Sequence, residues 1–341
     1  VLGVACLTAG CSTLSYYAQS VHGHLDLLHR AQPVADIVGD TSADATLRQR
    51  LELTQRIRDF AVKELHLPDN GSYRRYADLG RNAAVWNVAA APEFSLKLHT
   101  WCFAVVGCVG YRGYYDRHAA EAEAAALRAQ GLEATVYGVP AYSTLGKLEW
   151  LGGDPLLNTF IHWPEGELAR LIFHELSHQV VFAADDTMFN ESFATAVERI
   201  GGAKWLAQST DEARQQYASF DGRRNEFRAL VFAWRDKLQA LYASGLPPEQ
   251  MRLRKAELMQ ALRADHERIK AERWGASKAY DGWFDRANNA NFGMLAAYNE
   301  LVPHFERLYE QEGRDMRRFY AAVARLAALP KDQRHAKLKQ L

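Results

Sequence analysis

Phe173-His174-Glu175-Leu176-Ser177-His178-Gln179 is the stretch on which the reading of this 341-residue chain turns. Leu168, Leu171 and Ile172 precede it and Val180 and Val181 follow, and apolar residues at that spacing predict an amphipathic helix. The helix begins near Pro164, where Pro-Glu-Gly-Glu places acidic groups at the positive end of the helix dipole. Side chains four apart share one helix face, so His174 and His178 aim at a common point. Two imidazoles placed so are donors for a divalent metal, and zinc in a catalytic centre takes three protein ligands while keeping a position for water. Glu175 adjoins a ligand histidine and can accept that water's proton. An ordinary core helix rarely carries His174, Glu175 and His178 in its most apolar stretch, because unpartnered polar groups there cost several kcal/mol.

A third ligand is needed, and Phe189-Asn190-Glu191-Ser192-Phe193-Ala194 offers Glu191. The intervening residues allow one helix to end, turn through Ala183-Ala184-Asp185-Asp186-Thr187, and return as a second helix from about Asn190 to Gly201-Gly202. Glu198 lies seven residues further on the same helix face. It competes with Glu191 as a ligand or, alternatively, accepts a hydrogen bond from a ligand histidine.

Working outward, residues 42–65 read as a helix stopped by Leu67-Pro68-Asp69-Asn70-Gly71. Strand-like segments follow at 83–90 (AAVWNVAA), 100–109 (TWCFAVVGCV) and 134–142 (ATVYGVPAY), with an alanine-rich helix at 116–130 closed by Gly131. Residues 211–273 read as a charged helical hairpin turning at Gly245-Leu246-Pro247-Pro248, and 289–329 as a helix kinked at Pro303. The expected class is therefore α+β: a small mixed sheet with the His-bearing helix, followed by a mostly helical C-terminal half. Residues 1–41 form an N-terminal segment, 42–203 the catalytic region, and 204–341 a helical region packing on it.

The His-Glu-x-x-His helix followed by Asn-Glu-x-Phe-Ala resembles the gluzincin metallopeptidases, in which the glutamate of the Asn-Glu pair is the third zinc ligand. The wider context includes Val-Trp-Asn-Val at 85–88, Ala-Pro-Glu-Phe-Ser at 91–95, Thr-Trp-Cys-Phe at 100–103 and Gly-Val-Pro-Ala-Tyr-Ser-Thr-Leu-Gly at 138–146. Together these are similar to a bacterial family labelled "putative aminopeptidase", over nearly the whole chain. The resemblance implies a zincin-like fold, one zinc ion per chain on His174, His178 and Glu191, Glu175 as general base, and a peptide or protein substrate. Thr195 stands where thermolysin-like enzymes carry an aspartate that orients a ligand histidine. Gluzincins also supply a Tyr or His donor to the developing oxyanion. Tyr298 is the candidate taken here, with Tyr114 and Tyr142 as others. Residues 138–142 are a candidate sheet edge for an extended peptide.

Forty-one basic against 41 acidic residues leave no net field towards nucleic acid or an anionic membrane. The opening VLGVACLTAGCSTLSYY resembles the end of a bacterial lipoprotein signal, with Cys11 as the lipidated residue and Ser12 behind it directing the protein to the periplasmic face of the outer membrane. Membrane contact is expected only through that anchor. Cys102 and Cys108 are a candidate disulfide, which requires the chain to turn at Gly107.

The readings left open are a zinc aminopeptidase, a zinc endopeptidase or other zinc hydrolase, and a lipid-anchored scaffold with a non-catalytic zinc. Retention of Glu175 beside three ligands speaks against the last. Glu93 is the one carboxylate before the helix that is offered for a substrate amine.

Overall fold

The computed structural model describes residues 2–103, 107–141, 143–144 and 152–341, with side chains from residue 16 onward. Elements in chain order begin with α1 (Leu2–Arg30), β1 (Gln32–Pro33), α2 (Val34–Gly39) and α3 (Ala45–Lys63), and Asp44 caps α3 by accepting the Leu47 N–H at 2.7 Å. Then come β2 (Arg75–Ala77), β3 (Val85–Pro92), β4 (Trp101–Phe103), β5 (Gly107–Val109), β6 (Arg112–Tyr114), α4 (Arg117–Ala129), β7 (Leu132–Val139) and β8 (Leu156–Leu157). The rest is helical: α5 (Glu165–Ser177), α6 (Thr187–Ala207), α7 (Asp211–Tyr242), α8 (Pro248–Glu272), α9 (Asp281–Asp285), α10 (Asn289–Asn299), α11 (Val302–Gln311), α12 (Met316–Ala327) and α13 (Lys331–Lys339). The α+β class and the helical C-terminal half are as expected.

Among the described residues the strands divide among three small sheets. β2 joins β1 antiparallel and β8 parallel, so this sheet is the mixed one; β3 is flanked antiparallel by β6 and β7; β4 and β5 pair as a hairpin. Segment 100–109 is thus two strands, with Cys102 opposite Cys108 and disulfide-bonded to it. Gly107 has φ 72°, a conformation that glycine adopts at little cost.

β3 is buried on both faces because alternate residues serve different helices. Val88 and Ala90 pack against Ala120, Ala124 and Leu127 of α4, while Ala89 and Ala91 meet Ala290 and Met294 of α10. The alanines let a helix lie close on either side.

The main core joins α3, α5, α6, α11 and α12. Leu168, Ile172, Phe173 and Leu176 of α5 are fully buried in it, each stabilising the fold by roughly 1.5–3 kcal/mol. α5 stops at Ser177 rather than continuing to Val181. The Ser177 hydroxyl donates to the His174 carbonyl at 2.6 Å, the acceptor that a continuing helix would give to His178. α6, in contrast, runs through Gly201 and Gly202 instead of ending there. A Cβ at Gly201 would meet Leu65 and Phe173 at 2.6 and 2.8 Å, and one at Gly202 would meet Arg170 at 2.8 Å, so both glycines serve helix packing. The C-terminal stretch 289–329 is three helices rather than one kinked helix. It breaks before Pro303, which sits in the first turn of α11, and again at Gly313 and Arg314, both at positive φ.

Among the described residues, no helix is long and apolar enough to cross a membrane. The side chain of Cys11 and all of Tyr142 lie outside the described residues.

Candidate metal centre and its cavity

α5 and α6 pack side by side, and the loop between them sets how they face each other. Asn190 fastens that loop from both sides. Its Oδ1 accepts the Ala183 N–H and its Nδ2 donates to the Ala183 carbonyl, both at 2.8 Å. Asp186 caps α6 by accepting the Phe189 N–H at 3.2 Å, and its buried carboxylate is held by Arg334 at 2.6 Å and His335 at 2.9 Å. The Asn of the Asn-Glu pair therefore positions the turn that delivers the Glu.

The delivered group is Glu191. Its Oε2 lies 3.3 Å from His174 Nε2 and 3.6 Å from His178 Nε2, and donor atoms of the three residues fall within 4.8 Å of one another. All three are buried at 6–7% exposure. Glu198 does not join them. Its Oε2 is 3.0 Å from His174 Nδ1, on the far side of the ring, and its other oxygen pairs with Arg170. Of the two roles weighed for Glu198, the geometry matches the second: it holds His174 so that Nε2 faces Glu191. Thr195 takes no part in that contact. His178 Nδ1 is buried without a hydrogen-bond partner among the described residues.

The electrostatics favour positive charge at this point. Burial works against an ionised Glu191, but His178 and His174 outweigh it and hold its pKa down to about 2. Glu198 is likewise held at about 2, with burial opposed by Arg170 and His174. Burial disfavours a charged His174 too, yet Glu191 and Glu198 push its pKa well up. Glu175 is raised by burial, against the pull of both imidazoles. Two imidazoles and a carboxylate converging in an anionic, buried setting are a donor set that fits zinc or a similar divalent ion.

A cavity of about 1000 Å³ opens over these groups, and His174, Glu175, His178 and Glu191 all line it. Several tyrosines face the same space, three of them carrying the charge of Glu191 in their electrostatics. Tyr298 of α10 lies with its ring 6.1 Å from that of His174 and nearly parallel to it; Tyr111 and Tyr137 are the other two. Burial raises the pKa of all three, and the charge of Glu191 adds to the rise, so they are neutral O–H donors. Of these three, the sequence singled out Tyr298 alone. Tyr114, offered as an alternative, points instead into the packing between β6 and α4 and does not line the cavity. Glu93 is also elsewhere, at the surface in a two-pronged ion pair with Arg252 at 2.7 and 2.9 Å.

Two further contributions to the wall carried no local signal. α1 supplies Tyr16, Tyr17 and Ser20, and α5 and α7 supply Arg170, Arg224 and Arg228. The hairpin brings Phe103 and Val109, and its Cys108 N–H donates to Asp185 in the loop between α5 and α6.

The model of a protein family described as "putative aminopeptidase" matches residues 15–338, and the chain belongs to that family. No curated protein and no solved structure matches the chain.

Proposed function

We propose that this member of the family is a zinc-dependent peptidase of gluzincin type, with aminopeptidase action the form that the family's description favours. The observation that carries the reading is the convergence of His174, His178 and Glu191 within 4.8 Å, on a cavity that Glu175 also lines. His174 and His178 would hold the ion through Nε2 and Glu191 through a carboxylate oxygen. A zinc ion there supplies Lewis-acid activation of water and of the substrate carbonyl. Glu175 takes the proton from the attacking water and passes it to the leaving amine. Tyr298 donates its O–H to the oxyanion, with Tyr111 and Tyr137 as further donors on the same wall.

The decisive experiment measures zinc content of the purified chain together with cleavage of a peptide panel, with and without a chelator. One zinc per chain and chelator-sensitive cleavage are expected; metal-independent cleavage, or none with zinc bound, overturns the reading. One observation favours an endopeptidase as the second reading. Of the carboxylates lining the cavity, Glu191 and Glu198 face histidines and Glu175 is the base, leaving none among the described residues for a substrate amine. Peptides with free and acetylated N-termini separate the two: equal cleavage at internal bonds removes aminopeptidase action and leaves the zinc chemistry intact.

We also propose a lipid anchor at Cys11 and an outer-membrane, periplasmic location. The Ala9-Gly10-Cys11 box supports it, as does the Cys102–Cys108 disulfide, a bond that persists in oxidising compartments. Labelled palmitate should enter the native protein and not Cys11→Ala.

A further inference from the structure

The cavity is charged unevenly. Its carboxylates belong to α5 and α6, whereas the α7 side presents guanidinium groups, and these are not equally neutralised. Arg170 pairs with Glu198, lies 3.4 Å from Asp221 and donates to the Tyr217 hydroxyl at 2.8 Å. Arg224 pairs closely with Glu167 and reaches Asp221 at 4.0 Å. Arg228 has only the third share of that aspartate, at 3.9 Å. Its hydrogen bonds go to uncharged amides, Asn299 Oδ1 at 3.0 Å and Asn225 Oδ1 at 2.9 Å. One aspartate thus serves three guanidinium groups, and Arg228 is the one with no close carboxylate among the described residues.

We propose that Arg228, with Arg224 beside it, forms a subsite for a substrate carboxylate on the α7 wall, so that the preferred peptides carry a carboxylate a few residues from the scissile bond. The inference rests on the peptidase reading of the same cavity. Asn299, which holds Arg228, directly follows Tyr298, whose ring lies against His174, so the guanidinium sits close along the wall from the metal ligands. An arginine fork matches a carboxylate in two parallel hydrogen bonds, and a partly buried guanidinium lacking its own counter-charge gains most from such a partner. Beside it, Tyr280 stacks on Phe227 at 4.2 Å, and both line the cavity as an apolar surface for the substrate's aliphatic atoms. The carboxylate is either the peptide's own C-terminus or an Asp or Glu side chain.

The test uses matched peptides differing only as C-terminal acid against amide, and internal Glu against Gln. Binding is measured calorimetrically to zinc-loaded Glu175→Gln protein, and kcat/KM with the wild type. The carboxylate form of at least one pair should be preferred about tenfold or more, the scale of a charged hydrogen bond. Whichever pair shows it identifies the source. Arg228→Gln should bring the ratio to about one, and Arg228→Lys should keep part of it. Arg235→Gln should keep all of it, because Arg235, on the same helix as Arg228, lies outside the cavity lining and pairs with Glu300 at the end of α10. Equal binding of both members of both pairs by Glu175→Gln overturns the subsite. Discrimination in binding without any turnover by the wild type leaves the subsite standing and overturns the peptidase reading.

Discussion

Among the described residues, two places gather three ligand-type side chains within 4.8 Å, and they are built in opposite ways. At His174, His178 and Glu191, two ring nitrogens face one carboxylate oxygen, and Glu198 occupies the far side of the His174 ring. At His266, Glu267 and Asp281, one ring stands between two carboxylates, with Glu267 3.5 Å from Nδ1 and Asp281 3.5 Å from Nε2. The lone pairs of an imidazole diverge, so a single ion cannot replace both contacts. Lys270 already serves this cluster, 2.8 Å from Asp281 and 3.4 Å from Glu267. The His266 ring stacks on Phe284 at 3.9 Å, as a packing residue does. Proximity of donors is therefore a weak criterion. Convergence on one point and the lack of a built-in cation are what separate the two.

Metal uptake should show the contrast most strongly. Glu191→Ala should weaken zinc binding about a thousandfold or more, since the proposed site loses one of its three protein donors, while Asp281→Ala leaves it unchanged. A comparable loss in Asp281→Ala, measured by competition with a zinc indicator, would break the comparison. A smaller effect is expected at Glu198. Replacing it by Gln removes the charge behind His174 and should lower zinc affinity about 10- to 100-fold. An unchanged affinity would mean that Glu198 serves only Arg170.

The smallest effect belongs to the second cluster and concerns pH. Burial lowers the pKa of His266 below its usual 6.5, against the charges of Glu267, Asp281 and Asp285 and with that of Lys270. A histidine depressed in the folded state stabilises fully above about pH 6.5 and loses that contribution as the pH falls below it. Urea unfolding near pH 7.5 and 5.5 should therefore show a smaller loss in His266→Phe than in the wild type. An equal loss would assign the pH response to other groups.

The parts of this architecture that were legible in the sequence are those governed by local rules. The α5 face, the Glu191 return and the α7–α8 hairpin follow from periodicity and turn residues, and each stands where expected. The departures came where a contact, distant or within the same turn, overruled the sign that a residue type gives. Gly201-Gly202 looks like a helix end until Phe173, Leu65 and Arg170 are seen against it. Ser177 looks like an ordinary helix residue until its hydroxyl takes the His174 carbonyl. Tyr137 reaches the cavity through the register of β7, which alternation alone does not supply, Tyr111 through the short connection between β5 and β6, and Arg228 through the docking of α7 against α10.

The cavity takes Tyr16 from α1 and Tyr298 from α10, so its wall is assembled from segments nearly 300 residues apart in the chain. On the ribosome, His174, His178 and Glu191 are made well before Tyr298 and Arg228. A chain ending before α7 would therefore keep the candidate donors of α5 and α6 and lack the part of the cavity wall that α7 and α10 supply.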